Sequence, residues 1–350
     1  MNTSVCFVYP WATFGGCERI LLNRVMAFKE HLPDLRVDFL FLSDGGGLKD
    51  FQAALKAYQL TEVARTVTAL DGSYDLVSLI DCPQFLDEIA GRQQKYIVEC
   101  HTAYTNNRKY LAQLRTSETI IVTPSQHFSA QIRREFSLSG ERVRELRNFV
   151  PWDLPSATQF QRIQLPEWGA RPILFFGRMD HLKDPIALLD AFCLLNKQHR
   201  DEYLLLLCGP QTTEIDISQA LSARKLLDST VVLPPIPFPS AQALLQAVAN
   251  RGGLFVSPSQ GESFGLSAAE AICTPLPVVL SDIEAHQALV APYQAQFTYP
   301  QGNPKALAER IHHLARHQEA SHAALLTLRQ QFSAESFMYD WQSLLKHLET

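Results

Sequence analysis

The 350-residue sequence is poor in charge and lacks the patterns that mark several classes of protein. Charged side chains make up 19% of the chain and the formal net charge is −5, so the basic character of a nucleic-acid-binding domain is absent. The longest apolar runs, such as residues 203–208, are as long as a strand and too short for a membrane span. Residues 1–4 show neither the basic nor the apolar region of a signal peptide. We therefore expect a cytoplasmic globular protein without a nucleic-acid partner.

The spacing of cysteines and glycines excludes further classes of site. The seven cysteines are scattered, with no Cys-x-x-Cys pair and no Cys/His ligand spacing, so we expect reduced core residues and no zinc centre. No Gly-x-Gly-x-x-Gly fingerprint supports a nicotinamide or flavin site. No Asp-x-Asp triplet indicates a divalent metal on a diphosphate. The sequence thus predicts neither a metal nor a cofactor.

What the sequence does contain is an alternation of strands and helices that runs twice. Apolar runs predict buried strands, at residues 5–9, 36–42, 76–80, 96–100 and 119–123, and again at 173–176, 203–208, 231–233, 254–256 and 278–280. Two prolines within residues 148–155 interrupt the rhythm. We expect an α/β protein of two doubly wound, Rossmann-like domains, 1–150 and 151–333, with a ligand cleft between their sheet edges.

The most informative segment is LFVSPSQGESFGLSAAEAICTPLPVVLS, residues 254–281. A strand leads into a loop with Glu262, and a helix then opens near Gly265 and carries Glu270. A helix N-terminus at the carboxyl end of a strand favours a phosphate, and carboxylates accept hydrogen bonds from hydroxyl groups. This fits a sugar phosphate or nucleotide sugar. Alternatively, Glu270 closes a capping box on Ser267 and Glu262 is a solvated loop residue.

Further candidates lie where other strands end. Gly15 and Gly16 would let backbone N–H groups approach a phosphate, or form an ordinary tight turn. Arg178, after Gly177, and Lys183 would neutralise a diphosphate leaving group, although loop cations are commonly just solvated. His101 follows the strand at 96–100 and could bind a substrate hydroxyl or shuttle a proton.

A basic cluster occurs in the first half of the chain, where arginines alternate with glutamates. Its arginines would suit an anionic membrane surface or acceptor, but the interleaved glutamates favour a solvated helix face. The cluster comprises Arg133, Arg134, Arg142, Arg144 and Arg147, with Glu135, Glu141 and Glu145. Weak peripheral contact with a membrane is the alternative that this pattern leaves open.

Taken in order, these motifs resemble the GT4-type group of retaining glycosyltransferases with the GT-B fold. The similar stretches are TFGGCER, ECHT, FFGRMDHLKDP, ESFGLSAAE, LPVVLSD and GNPKALAERI. The resemblance spans nearly the whole chain and is strongest from residue 171 to 310. The chain departs from the family's pattern at residues 208–211, which lack its fuller glycine pattern.

The resemblance implies a role for each matching residue. Gly15 and Gly16 would bring backbone N–H groups to the donor diphosphate, which Arg178 and Lys183, beside Gly177, would bind from the second domain. Glu262 would hold the donor sugar's hydroxyls and Glu270 the ribose, while Ser263 lies beside backbone N–H groups offered by Phe264, Gly265 and Leu266. His101 would contact the donor sugar near its reacting face. The residues expected to be catalytic are His101, Arg178, Lys183 and Glu262. The last helix, about 334–350, would return to the first domain.

The expected function is transfer of a sugar, with retention and without a metal, from a UDP- or GDP-linked donor to an acceptor hydroxyl. The acceptor would be a glycan, a lipid-linked molecule or a small molecule, in glycan or surface-polysaccharide biosynthesis. The alternatives are a catalytically silent GT-B subunit that binds nucleotide sugar and regulates a partner, or a GT-B phosphorylase or epimerase.

Overall fold

The computed structural model describes residues 4–92, 94–116, 118–154 and 163–349. Contacts between residues divide the chain into two compact units, which we call unit 1 (residues 1–159 and 333–350) and unit 2 (residues 160–332). Each unit contains one parallel β-sheet with helices between its strands. The expectation of two Rossmann-like α/β domains is confirmed.

Unit 1 is built on a seven-stranded parallel sheet in the order β3-β2-β1-β4-β5-β6-β7. Its strands are β1 (Ser4–Ala12), β2 (Arg36–Asp44), β3 (Ala64–Val67), β4 (Leu76–Ile80), β5 (Tyr96–Glu99), β6 (Ile121–Thr123) and β7 (Val143–Glu145). The helices between them are α1 (Gly16–His31), α2 (Leu48–Ala57), α3 (Leu86–Ala90) and α4 (Gln126–Phe136). The central strand β4 is buried along its whole length, as its apolar sequence predicts.

Unit 2 has a six-stranded parallel sheet in the order β10-β9-β8-β11-β12-β13. Its strands are β8 (Arg171–Phe176), β9 (Tyr203–Cys208), β10 (Thr230–Leu233), β11 (Leu254–Ser257), β12 (Val278–Ser281) and β13 (Thr298–Tyr299). Its helices are α5 (Pro185–Gln198), α6 (Ile217–Ala223), α7 (Ser240–Asn250), α8 (Leu266–Cys273), α9 (Glu284–Leu289), α10 (Gln294–Phe297), α11 (Pro304–Arg316) and α12 (Gln318–Leu328).

The last helix, α13 (Ala334–Glu349), belongs to unit 1, and Thr350 lies outside the described residues. Its Trp341 is fully buried, with its ring centroid 4.9 Å from that of Phe28 on α1 and 6.3 Å from that of Phe7 on β1. Aromatic packing of this kind contributes beyond the burial of area alone. The chain therefore completes the core of unit 1 with its final helix.

Both sheets reverse their strand order at one point, which is where an open α/β sheet forms its ligand crevice. In unit 1 the reversal lies between β1 and β4, and in unit 2 it lies between β8 and β11. The loops that follow these four strands carry most of the candidate residues. The topology of each unit thus brings its own candidates to one edge of its sheet.

The arginine cluster does not form one helix face, so that expectation is wrong. Arg133 and Arg134 lie on α4, whereas Arg144 lies on strand β7. Arg144 contacts His347 of α13 at 3.0 Å, and Arg147 pairs with Asp340 at 2.6 Å. These arginines therefore tie α13 to unit 1, and membrane contact stays a prediction.

No helix in the described part of the chain combines the length and apolar character that a bilayer span requires. All seven cysteines are free and five of them are buried, in line with reduced core residues.

Candidate functional site

In unit 2, Lys183 and Glu262 form an ion pair that joins the loops after β8 and β11. Lys183 Nζ donates a hydrogen bond of 2.6 Å to Glu262 Oε1, which also accepts one of 2.8 Å from Ser259 Oγ. The side chains are 25% and 11% exposed, respectively, so water screens the pair only in part. The sequence placed these two residues in one site, and the structure brings them into direct contact.

The electrostatics of this pair keep Glu262 ionised. Burial alone would raise the pKa of Glu262, but the charges of Lys183 and His286 and the hydrogen bonds from Lys183 and Ser259 outweigh burial and lower the pKa below its usual value. An ionised carboxylate accepts hydrogen bonds and donates none. Glu262 is therefore suited to receive the hydroxyl groups of a ligand.

Asp180, which the sequence reasoning missed, organises the loop that carries both cations. Its side chain is buried, and its carboxylate accepts a 2.9 Å bond from the Lys183 backbone N–H and pairs with Arg178 Nε at 3.1 Å. The backbone N–H of Gln260, in the loop after β11, donates a hydrogen bond of 2.8 Å to the Leu182 carbonyl and so connects the two loops. A buried aspartate between Arg178 and Lys183 thus fixes the conformation of the loop that carries both.

The helix that follows Glu262 begins at Leu266, with Gly265 as its N-cap. Gly265 has a φ of +92°, a left-handed conformation that glycine adopts without strain. Ser267 therefore lies inside the first turn and not at the cap, so the capping-box alternative for Glu270 is wrong. The first N–H groups of any helix point toward the residues that precede it, so the start of α8 is suited to an anion.

A small pocket, partly open to solvent, lies at this turn. Its lining includes four of the predicted residues, Gly177, Lys183, Glu262 and Gly265, together with Ser257, Ser259, Ser267 and Ala268. The remaining predicted residues of unit 2 are neighbours of the pocket and do not line it. Of these, Phe264 and Leu266 are buried at 7% exposure, so only their backbones are suited to contact a ligand. The others are Arg178, whose side chain is 47% exposed, and Ser263 and Glu270, which are partly buried.

In unit 1, Gly15 and Gly16 form the turn between β1 and α1. Gly15 is the N-cap of α1 and Gly16 its first residue. A Cβ on Gly15 would lie 2.8 Å from Oε2 of Glu18, which is itself buried and accepts a 2.6 Å bond from the Thr13 hydroxyl. A Cβ at position 15 would therefore require this carboxylate to shift, while Gly16 opens the helix.

His101 lies beyond the end of β5 and contacts a buried ion pair. Its Nε2 lies 2.9 Å from Glu99 Oε2, and Arg24 donates two hydrogen bonds to the same carboxylate at 2.9 and 2.8 Å. Arg24 and Glu99 are 1% and 0% exposed. Sequence reasoning found His101 from its place after a strand and missed both partners.

Asp81, directly after β4, is a second residue that sequence reasoning missed. It has a φ of +45°, uncommon outside glycine, and its carboxylate accepts a 3.0 Å bond from the His101 backbone N–H. Burial raises the pKa of Asp81 to about 6, although the charge of His101 and backbone hydrogen bonds from His101 and Thr102 act to lower it. The residue that follows β4 thus has a strained backbone, and the pKa of its carboxyl group is about 6.

Asp81→Asn is expected to stabilise the protein at pH 7.5 by roughly 1–3 kcal/mol. The pKa of Asp81 is about 6 in the folded state, above that of an exposed aspartate, so its charged form opposes folding at pH above about 6. The penalty, and with it the gain from asparagine, should vanish as the pH falls to about 4. Urea unfolding at both pH values measures this, with exposed Asp71→Asn as the control. A gain that persists at pH 4 would contradict the explanation.

One group of three side chains in the described residues has the spacing of metal ligands, namely His199, Glu202 and His312. His199 and Glu202 precede β9, whereas the pocket lies where β8 and β11 end. Because the sheet is parallel, the group lies at the opposite edge from the pocket. The predicted absence of a metal from the reaction remains a prediction.

Residues 158–325 match the family model described as glycosyl transferases group 1. Among curated proteins, the D-inositol 3-phosphate glycosyltransferase of Corynebacterium urealyticum is 31% identical over 210 residues, 58% of this chain and 48% of that protein. The GDP-mannose:cellobiosyl-diphosphopolyprenol alpha-mannosyltransferase of Xanthomonas oryzae pv. oryzae is 28% identical over 180 residues, 50% and 44% of the two chains. The chain thus matches less than half the length of these relatives.

Solved structures resemble the chain over nearly its whole length. A TarM variant of S. aureus in complex with UDP has a TM-score of 0.76 at 13% identity and covers 98% of this chain and 99% of its own. HepE of Anabaena in complex with UDP and glucose has the same TM-score at 17% identity, with the same coverage. At these identities the likeness establishes the fold, which is GT-B, with two Rossmann-like domains.

Proposed function

We propose that the protein is a retaining, metal-independent glycosyltransferase that moves a sugar from a nucleotide-diphosphate sugar to an acceptor hydroxyl. The observation that carries the proposal is the Lys183–Glu262 pair at the N-terminus of α8, in the crevice of unit 2. It sets a cation and an N–H-rich helix end for a diphosphate beside an ionised carboxylate for hydroxyls. The match to the group 1 family model covers this part of the chain and supports the same reading.

In this proposal the diphosphate, the sugar and the ribose of the donor each contact different residues. Lys183 and the exposed Arg178 neutralise the diphosphate as the glycosidic bond breaks, and the N–H groups of residues 264–266 add partial positive charge. Glu262 accepts hydrogen bonds from the sugar and Glu270 from the ribose. UDP is named for the TarM and HepE structures and GDP-mannose for the Xanthomonas relative, which supports a UDP- or GDP-linked donor.

The residues of unit 1 complete the proposed chemistry. Gly15 and Gly16 offer backbone N–H groups to the diphosphate, and His101 contacts the sugar near its reacting carbon. The acceptor oxygen bonds to the anomeric carbon on the face from which the diphosphate leaves, and the departing phosphate oxygen takes the acceptor's proton. The acceptor is a glycan, a lipid-linked molecule or a small molecule, and the pathway we propose is glycan or surface-polysaccharide synthesis.

The test is turnover of a panel of UDP- and GDP-sugars with extract-derived acceptors. We expect nucleoside diphosphate to be released with one donor, the product's anomeric configuration by NMR to match the donor's, and EDTA to leave the rate unchanged. His199→Ala, which removes a ligand from the histidine cluster far from the pocket, should also leave the rate unchanged. Binding of a donor without turnover would point to the silent subunit, and sugar 1-phosphate or an epimerised donor to the phosphorylase or epimerase.

A further inference from the structure

The two ring nitrogens of His101 have different surroundings. Nε2 contacts the carboxylate of Glu99, whereas Nδ1 is buried and has no hydrogen-bond partner among the described residues. The side chain as a whole is only 6% exposed. Buried polar atoms in native proteins are nearly always paired, so an orphaned nitrogen requires an explanation, and a ligand that supplies a donor is one.

Glu99 is held in its ionised form. Burial would raise the pKa of Glu99, but the charge of Arg24 and the hydrogen bonds from His101 and Arg24 lower it well below its ordinary range. Ser78 donates a further bond of 2.5 Å to Oε1. A carboxylate in this state has no hydrogen to donate, so the proton shared with His101 belongs to Nε2.

We propose that Arg24 and Glu99 are positioning residues. They keep the Nε2 proton on His101, so that Nδ1 can accept a hydrogen bond from a sugar hydroxyl. The inference rests on the proposed function, because it names the ligand group as a hydroxyl of the donor sugar or of the acceptor. Arg24, Glu99 and His101, which we call the relay, all lie within unit 1, on α1, on β5 and in the loop after β5. Asp81 also contacts His101, but it accepts its hydrogen bond from the backbone N–H. The ring nitrogens are therefore left for Glu99 and for the proposed hydroxyl.

The direct test is the protonation state of the ring, read by long-range ¹H–¹⁵N NMR on histidine-labelled protein without substrate. His101→Asn assigns the signal. We expect the neutral ring to carry its proton on Nε2 and to leave Nδ1 unprotonated. A neutral ring with its proton on Nδ1 would overturn the proposal, and this measurement requires no change to the relay.

Glu99→Gln tests the consequence for turnover. We expect the rate constant of sugar transfer to fall by about 10- to 100-fold and the Nε2 preference to weaken. Affinity for the nucleoside diphosphate identified in the turnover assay should remain, because His101 is proposed to contact the sugar and not the nucleotide. Asp340→Asn, which breaks another ion pair of unit 1, should alter neither the spectrum nor the rate. An unchanged rate and spectrum in Glu99→Gln would refute the positioning role.

The two proposals fail separately. If no nucleotide sugar is turned over, the proposed function is refuted, whatever the NMR spectrum shows. If a donor is turned over and the neutral ring carries its proton on Nδ1, the positioning role is refuted and the transferase stands. If Glu99→Gln does not fold, the wild-type spectrum still decides the proposal.

Discussion

Replacing Lys183 by alanine is expected to lower nucleotide-sugar turnover by about 10²- to 10³-fold, the loss typical when a preorganised group that stabilises transition-state charge is removed. The substitution removes a cation from the pocket and leaves the largely buried Glu262 without its partner at 2.6 Å. Burial would then dominate, so the pKa of Glu262 should rise above its wild-type value. Turnover as a function of pH, with the released nucleoside diphosphate as the signal, measures both effects.

A graded series separates this explanation from general damage. Glu262→Gln keeps the side chain's shape and removes its charge, so it should lower turnover strongly. Ser259→Ala removes one hydrogen bond to Glu262 and should have a smaller effect. Lys305→Ala is the control, because Lys305 lies on α11 in an exposed pair with Glu309. If Lys183→Ala and Glu262→Gln turned over donor like the control, the pocket would not be the donor site.

Hydrophobic pattern was enough to predict the central strands and the edge strand β10, and it failed at the other three edge strands. The predicted strand at residues 76–80 coincides with β4, which lies between two neighbours and is buried throughout. The strands that were missed, β3, β7 and β13, all lie at sheet edges and have two to four residues each. Edge strands pair on one side and need little apolar sequence, so their pattern is weak.

The candidate site shows the same division between local and long-range information. Lys183 and Glu262 could be found because each lies in a loop directly after a strand. Asp81 also follows a strand directly, so the reasoning that found His101 could have found it. The Arg24–Glu99 contact joins residues 75 positions apart inside a helix and a strand, and no spacing rule indicates it. Its only sequence signal is a lone carboxylate within an apolar strand.

Arg24→Met is expected to lower the free energy of unfolding by about 3–5 kcal/mol at pH 7, because it leaves a buried carboxylate without its charge partner. Arg24 makes both of its bidentate bonds to Glu99, and its guanidinium lies over the rings of Phe7 and Phe337 at 5.6 and 5.8 Å. Methionine is long and apolar enough to preserve much of that packing. The loss should therefore report chiefly the uncompensated charge of Glu99.

The pH dependence identifies the cause. In the wild type the folded pKa of Glu99 lies below its unfolded value, so its stabilising contribution is present above the unfolded pKa and disappears as the pH falls through the folded one. In Arg24→Met the folded pKa should lie above the unfolded value, and acidification should relieve the penalty. The stability gap between the two proteins should therefore narrow from pH 7 to pH 4, as urea unfolding can measure. Arg147→Met, which breaks the more exposed pair with Asp340, should lower the free energy of unfolding by about 1 kcal/mol or less. An equal loss in both variants would show that burial of the Arg24–Glu99 pair adds nothing to its effect on stability.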